Sequence, residues 1–141
     1  MTRNLIVIGC AALLAFGLSF GSFAGVSPDS DSDGVPDAFD NCTNVANGPL
    51  AAAAPLCNAQ QDADNDGYGQ PCDADLNNDG GVGLNDVNDI LGLLGTADAN
   101  ADLNCDGGVG LSDVNDALGD LGTAPGPSGL FCAGSVPCSA Q

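Results

Sequence analysis

Aspartates at two-residue spacing, each run closed by a glycine, recur four times in this chain. The first loop holds Asp29, Asp31 and Asp33 before Gly34 and closes at Asp40; the second holds Asp62, Asp64 and Asp66 before Gly67 and closes at Asp73. The third runs Asp75, Asn77, Asp79, Gly80 to Asp86, and the fourth Asp102, Asn104, Asp106, Gly107 to Asp113. Numbered from its first aspartate, every loop carries side-chain oxygens at positions 1, 3 and 5, glycine at position 6 and a carboxylate at position 12. Alternate residues of a curling loop point inward, glycine takes the sharp turn, and the closing carboxylate reaches the same point from the far side. That oxygen set suits a hard divalent cation, calcium above all. The backbone carbonyl of position 7, at Val35, Tyr68, Gly81 and Gly108, completes the shell. Glycine also fixes the register, since a start at Asp73 places Asn78 at position 6 and a start at Asp98 places Leu103 there. A disordered acidic linker would scatter Asp and Gly by composition; four matches to one pattern in a short chain point instead to built loops.

Composition agrees with that chemistry. The formal net charge is -18, all of the acids are aspartate, and the single basic residue is Arg3. Carboxylates packed this closely repel one another in any compact state unless an external cation joins them. Nucleic acid and anionic membranes, which are bound through Lys and Arg, are poor partners for such a chain. Catalysis is disfavoured too: histidine, lysine and glutamate are absent, and the aspartates that could form an acid-base pair already have places in loops.

Residues Leu5 to Phe23 form an apolar run behind Arg3, and Ser22-Phe23-Ala24 offers small residues where a signal peptidase reads, so residues 1–24 are expected to be a signal peptide and the protein secreted, extracellular or at the cell surface. An uncleaved anchor is the alternative, with Gly9, Gly17, Ser19 and Gly21 weakening its spanning pattern; a lipoprotein box at Val7-Ile8-Gly9-Cys10 is a further one. Beyond Cys10, six cysteines remain, an even set that reads as three disulfides in an exported chain. No histidine and no C-x-x-C pair supports zinc. With no Trp, with Phe39, Tyr68 and Phe131 as the aromatics after the leader, and with 21 glycines, the core must be thin, and metals or disulfides must supplement it.

The third and fourth loops start 27 residues apart, and each leads into apolar residues at helical spacing: Val87, Ile90, Leu91, Leu94 and then Val114, Ala117, Leu118, Leu121. The pattern predicts two short helices stopped by Gly95 and Gly122, too short to persist alone and therefore packed together through these stripes. This segment, residues 74–123, resembles a dockerin domain, in which two Asp-x-Asn-x-Asp-Gly loops are each followed by a helix. The resemblance implies calcium binding and docking to a cohesin-like protein partner, as in polysaccharide degradation, through positions 10 and 11, here Leu84, Asn85, Leu111 and Ser112. The frequent Ser-Thr pair and the basic residues of that surface are missing.

Residues 25–73 resemble thrombospondin type 3 repeats, through Asp33-Gly-Val-Pro-Asp-Ala-Phe-Asp-Asn-Cys42 and Asp66-Gly-Tyr-Gly-Gln-Pro-Cys-Asp73. Asn47 and Gln60 stand at family positions, Thr43 and Gln70 depart from them, and Gly48 to Ala59 is an insertion. The resemblance implies a Cys42–Cys72 bridge. Cys132 and Cys138 are near enough in sequence for a local bridge, which leaves Cys57 with Cys105 among the fifteen pairings that six cysteines allow. Residues 124–141 read as a Pro/Gly linker with a cysteine-containing tail. The expected fold is a small, mostly irregular calcium-loop protein with short α-helices, a paired loop–helix (EF-hand-like, dockerin-type) domain following thrombospondin type 3-like loops. The expected role is a non-enzymatic assembly or adhesion module, or alternatively a calcium-rigidified extracellular spacer.

Overall fold

The structure, a computed structural model, describes residues 27–51 and 60–138. The expected leader, Cys10 and Cys57 lie outside the described residues. Among those described there are two α-helices, α1 (Leu84–Gly92) and α2 (Leu111–Gly119), two single-turn 3-10 helices (Asp37–Phe39 and Gln70–Cys72) and no strand. The molecule is accordingly small and mostly irregular.

Each α-helix begins inside its preceding loop. Gly83 and Gly110, at the N-caps, have no side chain to offer; the cap comes instead from the third helical residue, with Gly83 N donating to Asp86 Oδ2 and Gly110 N to Asp113 Oδ2, both at 2.7 Å. A carboxylate there also faces the positive end of the helix dipole. The helices end at Gly92 and Gly119, one turn earlier than the apolar pattern predicts. Glycine is a poor interior residue, and the following turns then reverse through Gly95 (φ 79°) and Gly122 (φ 83°).

α1 and α2 pack against each other, but not through the expected leucines. The core consists of Val87 and Ile90 from α1, Val114 and Ala117 from α2, and Ala74, Val82, Ala101, Leu103 and Val109 from the loops. Leu91, Leu94, Leu118 and Leu121 are instead 40–47% exposed. With each helix ending at its glycine, Leu94 and Leu121 lie beyond the helical stripe. The space expected for leucines is filled by small and branched residues of the loops, which match in pairs 27 residues apart, Ala74 with Ala101 and Val82 with Val109.

The two repeats hold each other's backbone. Val82 N donates to Thr123 O and Gly122 N to Val82 O, both at 2.8 Å; in the other repeat Val109 N donates to Thr96 O at 2.9 Å and Gly95 N to Val109 O at 2.8 Å. Each loop at position 8 is thus clasped by the turn that follows the other repeat's helix.

Among the described residues the preceding half has no apolar core of this kind. A Cys42–Cys72 disulfide spans it, as the resemblance implied. Asn41 and Asn47, both buried, join in a side-chain hydrogen bond of 2.8 Å. The carboxy-terminal segment does not trail away as a linker. It returns over the first two loops, with Gly126 N on Cys72 O (2.8 Å), Gly129 N on Asp40 O (2.8 Å), Gly134 N on Asp66 O (2.8 Å) and Cys138 N on Asn65 O (2.6 Å). A Cys132–Cys138 disulfide closes its end, and Cys105 is disulfide-bonded as well.

Burial at the helix pair sets unequal costs for substitution. Ile90→Ala, at a side chain with no exposed surface, should destabilise the protein by about 2–5 kcal/mol. Leu91→Asp, at an exposed neighbour, should change stability by no more than about 0.5 kcal/mol. Urea titration of both variants under one calcium concentration checks this, and equal losses would show that the leucine stripe is buried after all.

Candidate metal centre

One backbone conformation is repeated in all four loops. Position 4 adopts a left-handed conformation although none of its residues is glycine: φ is 64° at Ser32, 63° at Asn65, 57° at Asn78 and 57° at Cys105. Position 6 follows with φ of 95° at Gly34, 93° at Gly67, 96° at Gly80 and 100° at Gly107. In each loop that glycine donates its N–H to Oδ2 of the first aspartate, at 3.2 Å for Asp29, 2.9 Å for Asp62, 2.7 Å for Asp75 and 2.9 Å for Asp102. A left-handed non-glycine residue costs on the order of 1–2 kcal/mol, so its recurrence at one position of four loops marks a shared geometric requirement. Position 7 adds a further link in three of them: Val35, Tyr68 and Gly108 donate N–H to Asp33, Asp66 and Asp106, at 2.8, 2.8 and 3.2 Å. At Gly81, the equivalent in the third loop, the backbone lies beside Thr123 O.

In the first two loops the curl brings the carboxylate oxygens together. A carboxylate oxygen from each of Asp29, Asp31 and Asp33 lies within 4.8 Å of the others, and the same holds for Asp62, Asp64 and Asp66. Either group could hold a metal ion. In the third and fourth loops Asn77 and Asn104 stand between Asp75 and Asp79 and between Asp102 and Asp106.

The closing carboxylates are all buried, but they are held in two ways. Asp86 and Asp113 sit in the first turn of their helices; Oδ1 accepts the N–H of Asn77 or Asn104, both at 3.1 Å, while Oδ2 caps the helix. Loop closure and helix initiation are therefore one event. Asp40 and Asp73 instead follow 3-10 turns and accept the N–H two residues on, from Cys42 at 2.9 Å and from Asp75 at 3.1 Å.

Loop one carries the clearest sign of a cation site. Asp29 Oδ1, Asp31 Oδ2 and Asp40 Oδ2 are buried without any hydrogen-bond partner. Three bare carboxylate oxygens in one loop are costly in a folded chain, and a hard cation is the ligand that would satisfy them together. Burial raises the pKa of Asp31, with the charges of Asp33, Asp40 and Asp29 adding to it; burial also raises Asp40. Both oxygens of Asp33 have hydrogen-bond partners: Oδ1 accepts Val35 N, and Oδ2 accepts Asn47 N at 2.8 Å and also Gly48 N.

Loop two adjoins loop three. Burial, then the neighbouring carboxylates, pushes Asp66 up to about 6 and Asp73 up to about 8, and Asp75 of the next loop contributes to both. Asn78 Nδ2 donates to Asp64 Oδ2 across the junction at 2.8 Å. Gln70, where the sequence departs from the thrombospondin pattern, is buried and donates its amide to Asn100 O at 2.6 Å, which ties the two segments together on another side. Neither this amide link nor the returning tail has a periodic signal in the sequence. The reciprocal clasp did have a signal, the Leu-Gly-Thr-Ala repeated at residues 94–97 and 121–124.

The residues expected to meet a partner are at the surface. Leu84 and Leu111, each the first residue of its helix, are 66% and 69% exposed, and Asn85 and Ser112 beside them are exposed as well. Among the described residues no helix is long and apolar enough to cross a membrane. No known family model matches the chain, and no curated protein or solved structure matches it either.

Two measurements follow from this geometry. In chelator, Asp73 titrates at about 8 in the fold against 3.8 as a free group. The folded state then binds the extra proton, so this contribution to stability is complete below pH about 4 and is lost as pH rises through 8. The melting temperature of the calcium-free protein should fall between pH 5 and pH 9, and a flat or rising profile would contradict the carboxylate packing. Separately, ending the chain after Thr123 removes the tail from the carbonyls of Asn65 and Asp66. Proteolysis should then cut loop two at least several-fold faster while sparing loops three and four; equal protection of loop two would show that the tail contact is incidental.

Proposed function

We propose that this chain is a secreted calcium-binding module whose four loops each fold around one ion, and whose helical pair serves assembly or adhesion with another protein. The observation that carries this reading is the single backbone design of the loops, together with three buried carboxylate oxygens in loop one that have no partner. Asp29, Asp31, Asp33 and Asp40 would hold the first ion; Asp62, Asp64, Asp66 and Asp73 the second. Asp75, Asn77, Asp79 and Asp86 would hold the third, and Asp102, Asn104, Asp106 and Asp113 the fourth. Hard oxygen donors select calcium or magnesium rather than a softer metal. Closing aspartates on extracellular loops give dissociation constants on the order of micromolar to millimolar. Disulfides fit an oxidising, extracellular environment.

Within this reading residues 74–123 are dockerin-like and residues 25–73 are thrombospondin type 3-like, and the aspartates serve ions rather than acid-base catalysis. Exposure of Leu84 and Leu111 at equivalent places favours a protein partner at the helix starts. A calcium-rigidified spacer is the second reading, favoured by the disulfide and returning tail that brace the first two loops.

Native mass spectrometry and circular dichroism with and without chelator test the calcium reading. Four bound ions, and a lower helix content and melting temperature on chelation, are expected. Unchanged helicity, or an ion count of zero at millimolar calcium, would refute it.

A further inference from the structure

Asp40 closes loop one with one oxygen engaged and the other buried and bare, and one of the two groups engaging the first comes from beyond the inserted segment. Gln60 Nε2 donates to Asp40 Oδ1 at 2.9 Å and also to Asn47 Oδ1. Gln60 Oε1 accepts Asn41 N at 2.7 Å, its carbonyl accepts Asn41 Nδ2 at 3.0 Å, and its N–H donates to Asn47 O at 3.2 Å. All the polar atoms of this residue are therefore engaged by residues 40, 41 and 47, although in sequence it stands two positions before Asp62 of loop two. Its backbone is left-handed, with φ of 55°. Such a conformation persists in a glutamine only where the surroundings fix it.

Asp40 itself has no exposed surface. Oδ1 takes two donors, the Gln60 amide and Cys42 N, and donor hydrogens there repel a cation. Oδ2 has none. We infer that Gln60 is a positioning residue for the loop-one ion: it occupies Asp40 Oδ1, turns Oδ2 toward the ion as a one-oxygen ligand, and links filling of loop one to the entrance of loop two. This rests on the calcium reading above. Loops three and four use another device, since Asp86 and Asp113 are oriented by main-chain N–H groups of their own loops. The role is therefore not shared with loops three and four.

Two variants of the full chain, Gln60→Ala and Gln60→Glu, test the role by calcium titration followed through the amide resonances of Gly34, Gly80 and Gly107, which report loops one, three and four. Gln60→Glu keeps an acceptor for Asn41 N but replaces the donor facing Asp40 with an oxygen. Calcium affinity at Gly34 should fall about 10- to 100-fold in both variants, the range for losing an outer-shell partner of a metal ligand, while Gly80 and Gly107 titrate as in the parent. A Gln60→Glu protein with parental affinity at Gly34 would show that the residue acts only through Asn41, and would overturn the inference. So would a collapse of amide dispersion in both variants, which marks a folding role alone. If Gly34 of the parent does not respond to calcium, the calcium reading of loop one fails first. A parent that responds, with variants that respond identically, removes the positioning role and leaves that reading standing.

Discussion

Main-chain N–H groups are the internal positive partners on which this structure depends. The described residues contain no Lys, Arg or His, so a buried carboxylate can be met only by a backbone amide, a side-chain amide or hydroxyl, or an ion from outside. Asp33 illustrates the first solution, taking N–H groups from Val35, Asn47 and Gly48. Asp75 takes those of Asp79 and Gly80. Aspartate suits this arrangement because its short side chain keeps the carboxylate within reach of the adjacent backbone, where glutamate would overshoot. Where the amides run out, as at Asp29, Asp31 and Asp40, oxygens remain bare in the interior, and burial drives the carboxyl pKa values of Asp31 and Asp40 upward.

The two ways of holding a closing carboxylate account for the different appearance of the two segments. At Asp86 and Asp113 the carboxylate that ends the loop also starts the helix, so each loop brings a helix whose inner face, with the loop valines, makes a small core. At Asp40 and Asp73 the chain leaves through extended backbone after a 3-10 turn. Among the described residues no helix starts from either aspartate and no apolar face forms there, so stability has to come from longer-range links. The Cys42–Cys72 bridge, the Asn41–Asn47–Gln60 amides and the returning tail supply them.

The loops were legible in sequence because their spacing is local: the residues that define a turn and its inward oxygens all lie within a dozen positions, and glycine at position 6 fixes the register. Cys42–Cys72 was legible through family resemblance. The helix pair was legible only in outline. A stripe at 87, 90, 91 and 94 identifies a helix, but it does not reveal that Gly92 ends it or that Val82 and Val109 from the loops occupy the place assigned to Leu91 and Leu118. Gln60 and the tail were illegible for a different reason. Their contacts join residues far apart in sequence through amide and carbonyl groups, and such pairings leave no periodicity to read.

The clasp between the repeats and the strap formed by the tail carry a consequence for how the chain assembles as it emerges amino end first. When loop four appears, its backbone partners Gly95 and Thr96 are already present, so it can close at once. Loop three, though made earlier, must wait for Gly122 and Thr123. Loop two waits longer still, for Gly134 and Cys138 to reach the carbonyls of Asp66 and Asn65. Completion therefore runs against the direction of synthesis, from loop four to three to two. Loop two, among the first acidic segments to be made, is thus the last to be enclosed, and it stays open to solvent and to calcium until nearly the whole chain has followed.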